Sequence, residues 1–178
     1  MKIICLLILF TINAFCQDLE KFIAYGNMGF GLSRGGYQES QGGTVARLGV
    51  SVSYYHLLFK VDRTRNNEFA LIEPPEKITS YSYLVGISIQ PFRNLPELLI
   101  NGKYGIGKGE LIKRGKIIVY KLLDNEYDFI SEKYSTNIVE LDLELRFQYF
   151  GMYLGGFSEF NQGFNVYGIT LGALFGNF

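Results

Sequence analysis

Three carboxylates spaced two residues apart, Glu140, Asp142 and Glu144, are the residues best placed for acid–base chemistry. In an extended strand this spacing puts all three side chains on one face, where they could share a proton. Arg146 continues the spacing and offers a counter-charge, so ion pairing is a sufficient structural explanation. His56 is the only histidine, and no Ser/His/Asp combination or metal-ligand spacing accompanies it. The pattern therefore predicts neither a catalytic residue nor a metal site.

A glycine-rich segment, Gly102 to Gly109, has the spacing of a phosphate-binding loop as far as its Gly-Lys pair. Gly109 then stands where that motif needs Ser or Thr to hold magnesium, and no strand–loop–helix context surrounds the segment. It alternates like a strand, in which glycine relieves crowding or permits a bend. We therefore expect no nucleotide site and no cofactor.

The first sixteen residues form a separate unit that is typical of a cleaved export signal. Lys2 supplies the positive start, residues 3–12 the apolar core, and a small-x-small sequence ends at Cys16. We expect a signal peptide at 1–16 and one mature domain at 17–178. Cys5 and Cys16 leave with the signal, which excludes disulfides and thiolate chemistry from the mature chain. A lipoprotein anchored through Cys16 is the alternative, but the bulky Phe15 before it opposes that interpretation.

Composition excludes several classes of protein. Lys plus Arg and Asp plus Glu each total 17, so no net field attracts nucleic acid. Hydrophobic residues make up 48% of the chain, which excludes a disordered tail. The apolar run near the start is shorter than the roughly 20 residues that a membrane-spanning helix needs. Since the predicted mature chain has no disulfides, its stability must come from burial and from backbone pairing.

Apolar and polar residues alternate at every second position in eight segments, which is the periodicity of β-strands. The sixth segment is the clearest, and the seventh has the poorest phase, so its facing stays open. All four prolines fall between the segments, as expected for residues that cannot donate to a ladder. The predicted strands cover residues 22–32, 44–54, 57–62, 79–90, 98–108, 137–149, 152–160 and 167–175.

The connections between these segments alternate in length. Tight turns at one end and longer loops at the other are typical of outer-membrane up-and-down β-barrels, whose strands span roughly 9 to 11 residues. The sequence therefore favours an all-β, eight-stranded antiparallel transmembrane barrel. Short connections lie near residues 55–56, 91–97 and 150–151, and longer ones cover residues 34–43, 64–78 and 109–136.

Aromatic residues gather at the short turns, where the interfacial girdle of a membrane barrel belongs. A soluble lipocalin-like barrel is the alternative, because a period of two does not say which face lies inside. The absence of tryptophan removes a residue that lipocalins usually carry near the first strand. The girdle residues are Tyr54, Tyr55, Phe92, Tyr149 and Phe150.

The export signal, the eight alternating strands and the C-terminal Phe178 resemble the small outer-membrane β-barrel proteins of the OmpA/OmpX type, in a Bacteroidetes style. The resemblance covers residues 21–178. It implies a porin-family-type barrel in the outer membrane of a Gram-negative cell envelope, with Phe178 as an assembly signal for the barrel-assembly machinery. Phe178 departs from the apolar phase of the last strand, so that role requires a bulge or an end of pairing near Gly176.

If the apolar faces meet lipid, the opposite faces carry four cations and four carboxylates. An eight-stranded barrel is just wide enough for side chains to fill it, and buried charges are costly unless paired. We expect a packed ion-pair network in place of an open pore; a proton or ion path is the alternative. The predicted network comprises Arg47, Lys60, Asp62, Lys103, Glu140, Asp142, Glu144 and Arg146.

The predicted external segment 109–136 offers the best surface contact. Lys113, Arg114 and Lys116 could meet lipopolysaccharide phosphates or an acidic partner, although a solvated loop also explains them. Barrels of this size that modify lipid A need an acid/base residue or nucleophile at the outer rim, but His56 falls in a short turn at the opposite end. We therefore predict a non-enzymatic structural or surface-interaction barrel. The alternatives are a lipid-A-modifying enzyme and a soluble carrier of a hydrophobic ligand.

Overall fold

The computed structural model describes residues 22–36, 42–69, 75–92, 94–119 and 126–178. The predicted signal peptide, with Cys5 and Cys16, and the start of the mature domain lie outside these residues. Within them, no helix is long and apolar enough to cross a membrane. The strands are β1 (Ile23–Gly36), β2 (Gly42–Tyr54), β3 (Leu57–Glu68), β4 (Lys77–Ile89), β5 (Leu98–Val119), β6 (Glu126–Arg146), β7 (Phe150–Phe160) and β8 (Asn165–Gly176).

The eight strands form a closed antiparallel barrel. Each strand pairs with its neighbours in the sequence, and β8 returns to pair with β1. Closure leaves the barrel wall without an open sheet edge, because the first and last strands supply each other's hydrogen bonds. The structure confirms the predicted eight-stranded up-and-down barrel.

The two faces of β6 show how the alternation works. Leu141 and Leu143 are exposed on the outer surface, whereas Glu140 and Asp142 are buried inside. The other strands divide in the same sense, with apolar residues outside and most polar residues inside. This facing is the reverse of the apolar interior that a soluble carrier of a hydrophobic ligand needs.

The facing of β7, which its sequence leaves open, is now defined. Tyr153 and Glu159 point inward, and Met152 and Leu154 point outward. Gly155 occupies an inward position, where an added Cβ would collide with the Asp142 carboxylate of β6. Glycine at that close approach carries no side chain to mark the phase, which explains the poor periodicity of this segment.

The connections fall into two sets at opposite ends of the barrel. At the short-turn end, Tyr54 is joined to Leu57 through Tyr55, whose φ of 52° is left-handed, and β6 passes to β7 through residues 147–149. At the long-loop end, the side chain of Asn161 accepts hydrogen bonds from the backbone of Gly163 and Phe164. The predicted girdle aromatics are all exposed at the short-turn end.

The prediction of a loop over residues 109–136 is wrong. β5 and β6 stay paired through Arg114 and Phe129 and, after register shifts, as far as Val119 and Glu126. β4 pairs with β5 only as far as Ile112, and β7 pairs with β6 only as far as residue 137. Residues 113–119 and 126–136 therefore form a projecting hairpin beyond the wall. Tyr134 and Thr136 at its base pack inward, but none of residues 113–118 and 127–133 is buried, so the alternation that marks the other strands is lost there.

Candidate functional site

A central ion cluster occupies the lumen around Glu140 of β6. The Glu140 carboxylate accepts hydrogen bonds from Lys60 Nζ at 2.7 Å and Lys103 Nζ at 2.6 Å. It also pairs with the guanidinium of Arg47. A single carboxylate thereby joins cations from three other strands. The members of the central ion cluster are Arg47, Lys60, Asp62, Lys103, Glu140 and Asp142.

The central ion cluster contains equal numbers of positive and negative side chains. Arg47 pairs with Asp62 as well as Glu140, and Lys103 pairs with Asp142 as well as Glu140. The three cations face three carboxylates, and all six residues are buried. Strand register contributes directly, since Lys103 lies opposite Glu140 in the β5–β6 ladder. Mutual pairing offsets the desolvation that isolated buried charges would suffer.

A second ion pair lies nearer the short-turn end. Arg146 Nη2 lies 2.7 Å from Glu144 Oε2 and donates a 2.9 Å hydrogen bond to the Tyr25 hydroxyl. Its guanidinium also covers the Tyr25 ring at 4.6 Å and the Phe178 ring at 5.4 Å. The structure thus places all eight predicted network residues inside the barrel, six in the central ion cluster and two in this separate pair.

Glu159 of β7 is a buried carboxylate that the sequence interpretation missed. Ser80 Oγ donates a 3.0 Å hydrogen bond to it, and its exposed fraction is 2%. The described lumen therefore holds five carboxylates against four cations. The sequence does indicate this inward facing, because Tyr153, Phe157 and Glu159 all occupy odd-numbered positions of β7. Gly155 interrupts that pattern.

Apolar side chains pack on both sides of the central ion cluster. At the short-turn end, Phe178 packs against a buried group formed by Ile23, Tyr25, Leu58, Tyr153 and Leu174. Toward the long-loop end, Tyr134 and Phe164 pack against a buried group formed by Val45, Ile78, Leu111, Phe157 and Val166. The lumen is therefore layered, with charges between two apolar groups.

Phe178 turns into the mouth of the barrel. β8 ends at Gly176, and the backbone N–H of Phe178 donates a 3.0 Å hydrogen bond to the carbonyl of Gln148. The Phe178 ring lies 5.4 Å from the Tyr25 ring. Pairing thus ends near Gly176, as the departure from the apolar phase requires, and the side chain packs inward.

The candidate surface cations lie on the projecting hairpin. Lys113 pairs with Glu132, and Arg114 Nη2 lies 2.9 Å from Glu68 Oε1. Lys116 is exposed. The contacts of Arg114 fix the base of the hairpin to the end of β3.

The remaining candidates for chemistry have structural explanations. His56 Nδ1 lies 3.2 Å from the backbone carbonyl of Ser88, within the short-turn end. Gly102 to Gly109 lies entirely within β5, without the loop that a phosphate site needs. Among the described residues, no group of His, Cys, Asp and Glu side chains could hold a metal ion.

The lumen and the wall together define the fold of the small eight-stranded outer-membrane β-barrel proteins. Neisserial surface protein A matches with 11% identity and a TM-score of 0.63, over 89% of this chain and 99% of that one. Ail, the attachment invasion locus protein of Yersinia pestis, matches in complex with the heparin analogue sucrose octasulfate, with 12% identity and a TM-score of 0.60 over 88% and 99% of the two chains. No family model and no curated protein sequence matches the chain. The likeness is therefore one of fold.

Proposed function

We propose that this protein is a non-enzymatic β-barrel of a Gram-negative outer membrane, exported by a cleaved signal peptide, which acts as a structural or surface-interaction protein. The outward apolar face carries the proposal. Leu48 of β2 is 62% exposed and Leu141 of β6 is 61% exposed, on opposite sides of the barrel wall. So large an apolar surface is unusual in a soluble monomer and matches the lipid-facing band of a membrane barrel.

The lumen supports a structural role. Eight strands enclose a space that side chains can fill, and here ion pairs and apolar groups occupy it. Glu140 and Asp142 each pair with a lysine, so they are not poised as a free acid and base. His56, the only histidine, bonds to a backbone carbonyl. These contacts favour a filled, non-conducting and non-enzymatic barrel.

The projecting hairpin supports surface interaction. Ile118 and Phe129 are exposed on it, at 66% and 50%, and Lys116 adds an exposed positive charge. Because Lys113 and Arg114 already contact carboxylates, we assign the contact to Lys116 and the exposed apolar side chains, which together suit an acidic protein partner in preference to lipopolysaccharide. Exposed apolar side chains rimmed by charge are typical of such contacts. Short turns on the periplasmic side would place this hairpin outside the cell.

Cell fractionation with a heat-modifiability gel tests the proposal. Expressed with its own residues 1–16, the protein should sediment with outer membranes and run as a folded band that shifts on boiling. A soluble periplasmic marker made in the same cells controls for the fractionation. A soluble product without a heat-dependent shift would overturn the membrane assignment.

A further inference from the structure

Outward-facing charge is concentrated on one side of the barrel wall. In the described parts of β1, β2, β7 and β8, the outward positions carry a single charge, at Arg34. The adjoining strands differ at their long-loop ends. Apart from Lys116 farther out on the hairpin, they carry four exposed cations, which we call the cation cluster: Arg63 and Arg65 of β3, Lys108 of β5 and Lys133 of β6.

Strand register places the cluster in two rows. Tyr81 of β4 lies opposite Arg63 on one side and Lys108 on the other. In the next row, Glu110 of β5 lies opposite Lys133. Neighbouring strands are about 4.8 Å apart, so Arg63 and Lys108 are separated by roughly 10 Å along their row. That separation suits phosphate groups on one head group.

An open groove lies over these rows. It has a volume of about 670 Å³, and its lining includes Arg63, Tyr81, Lys108 and Lys133. The Arg63 guanidinium lies 5.4 Å from the centre of the Tyr81 ring, which fixes one cation at the rim. The groove is thus bordered by charges held on rigid strands.

The charges of the cluster are not neutralised by carboxylates among the described residues. None of its four cations forms an ion pair among the described residues. Glu110 is the one carboxylate in the lining, and it accepts a hydrogen bond from Ser131 Oγ. The lining thus holds three of the four cations and one carboxylate, which leaves a net positive site that is complementary to an anion.

Two exposed apolar side chains lie on the wall next to the cluster. A second open groove of about 1100 Å³ shares Tyr81, Lys108 and Lys133 with the first and adds Tyr83 and Ile106. Tyr83 and Ile106 are 66% and 62% exposed. A ligand that covers both the cation cluster and these two side chains would carry anionic groups at one end and hydrocarbon at the other.

We propose that the cation cluster binds the phosphorylated head group of an outer-leaflet glycolipid of the lipid A type, whose acyl chains lie on Tyr83, Ile106 and the wall beside them. This inference rests on the proposed membrane location. Arg offers bidentate contacts to phosphate and Lys a mobile point charge, and both stems can reach up from an apolar surface. A free phosphate would leave Tyr83 and Ile106 without a contact.

Native mass spectrometry of the refolded barrel in detergent tests the site. The probes are bisphosphorylated lipid A and the same lipid with both phosphates removed. The test variant carries Arg63→Gln, Arg65→Gln, Lys108→Gln and Lys133→Gln. A matched control removes four other cations through Arg34→Gln, Lys77→Gln, Lys113→Gln and Lys116→Gln. We expect the test variant to bind phosphorylated lipid A at least tenfold more weakly than the wild type, and the control to change less than twofold.

Three outcomes would overturn the inference: equal binding by wild type and test variant, an equal loss in the control, or full competition by millimolar inorganic phosphate. The wild type should also bind the dephosphorylated lipid as weakly as the test variant binds the phosphorylated one. Each variant is checked for its heat-modifiable band, and the Lys108→Gln/Lys133→Gln double variant replaces any that does not fold. A chain that never inserts into membranes defeats both proposals, whereas a folded membrane barrel without the charge effect defeats this one alone.

Discussion

Arg47 and Glu140, which are 93 residues apart in the sequence, form an ion pair across the lumen. Arg47 belongs to β2 and Glu140 to β6, two strands that share no ladder. The pair therefore ties opposite walls of the barrel together, and Lys60 and Lys103 join it from between. Both partners are buried, so water cannot replace either side chain as the partner of the other.

Removal of the central carboxylate should destabilise the barrel strongly. Glu140→Gln leaves three buried cations with two carboxylates, and an uncompensated buried charge costs about 3–5 kcal/mol. Urea unfolding in lipid vesicles, followed by the heat-modifiable band, measures the loss. Glu132→Gln is the control, since its pair with Lys113 is partly exposed and worth at most about 1 kcal/mol. Equal losses for the two variants would show that the central ion cluster does not hold the walls together.

A charged side chain on the outer face should destabilise the barrel in a membrane. Leu143 is exposed on the wall between Leu141 and Leu145, and arginine near the midplane of a membrane barrel costs about 2–4 kcal/mol. Leu143→Arg should therefore reduce the folded yield in vesicles, whereas Leu143→Phe should not. Normal insertion of the arginine variant would contradict the lipid-facing assignment of this surface.

Some of this architecture follows from the sequence for a simple physical reason. β6 alternates clearly because Leu143 and Glu144 face different surroundings. In β7 the inward Gly155 hides the phase, and Glu159 was missed for that reason. The hairpin beyond Ile112 escaped prediction because none of residues 113–118 and 127–133 is buried inside the barrel. The division of the lumen charges into two groups depends on register and distance, which periodicity does not encode.

The projecting hairpin should be dispensable for folding. Replacement of residues 115–128 with an Asn-Gly turn keeps the Arg114–Phe129 pair and the whole barrel wall. We expect the unfolding free energy in vesicles to change by less than about 1 kcal/mol, since external segments of barrels carry little of the wall pairing. Leu111→Asp is the contrasting variant, because Leu111 packs in the apolar group at the long-loop end. A shortened protein that fails to fold would assign the hairpin a structural role.

Variants of Phe178 can distinguish its contribution to packing from its predicted role as an assembly signal. Its half-buried ring covers Tyr25 and Arg146, so Phe178→Ala should lower stability by about 1–3 kcal/mol even in vesicles that contain no assembly machinery. Phe178→Leu should recover most of that loss. If Phe178→Ala unfolds like the wild type in vitro but lowers the folded yield in cells, Phe178 acts as an assembly signal and its packing is incidental.

Planar-bilayer recording of the reconstituted barrel tests the filled, charge-paired lumen most directly. The central ion cluster between two apolar groups should block steady current at any applied voltage that the bilayer tolerates. Protein in the bilayer is confirmed by recovery of its heat-modifiable band from the same vesicles. We expect a baseline current equal to that of protein-free lipid. Large, reproducible single-channel steps that disappear in Arg47 or Glu140 variants would contradict the filled lumen.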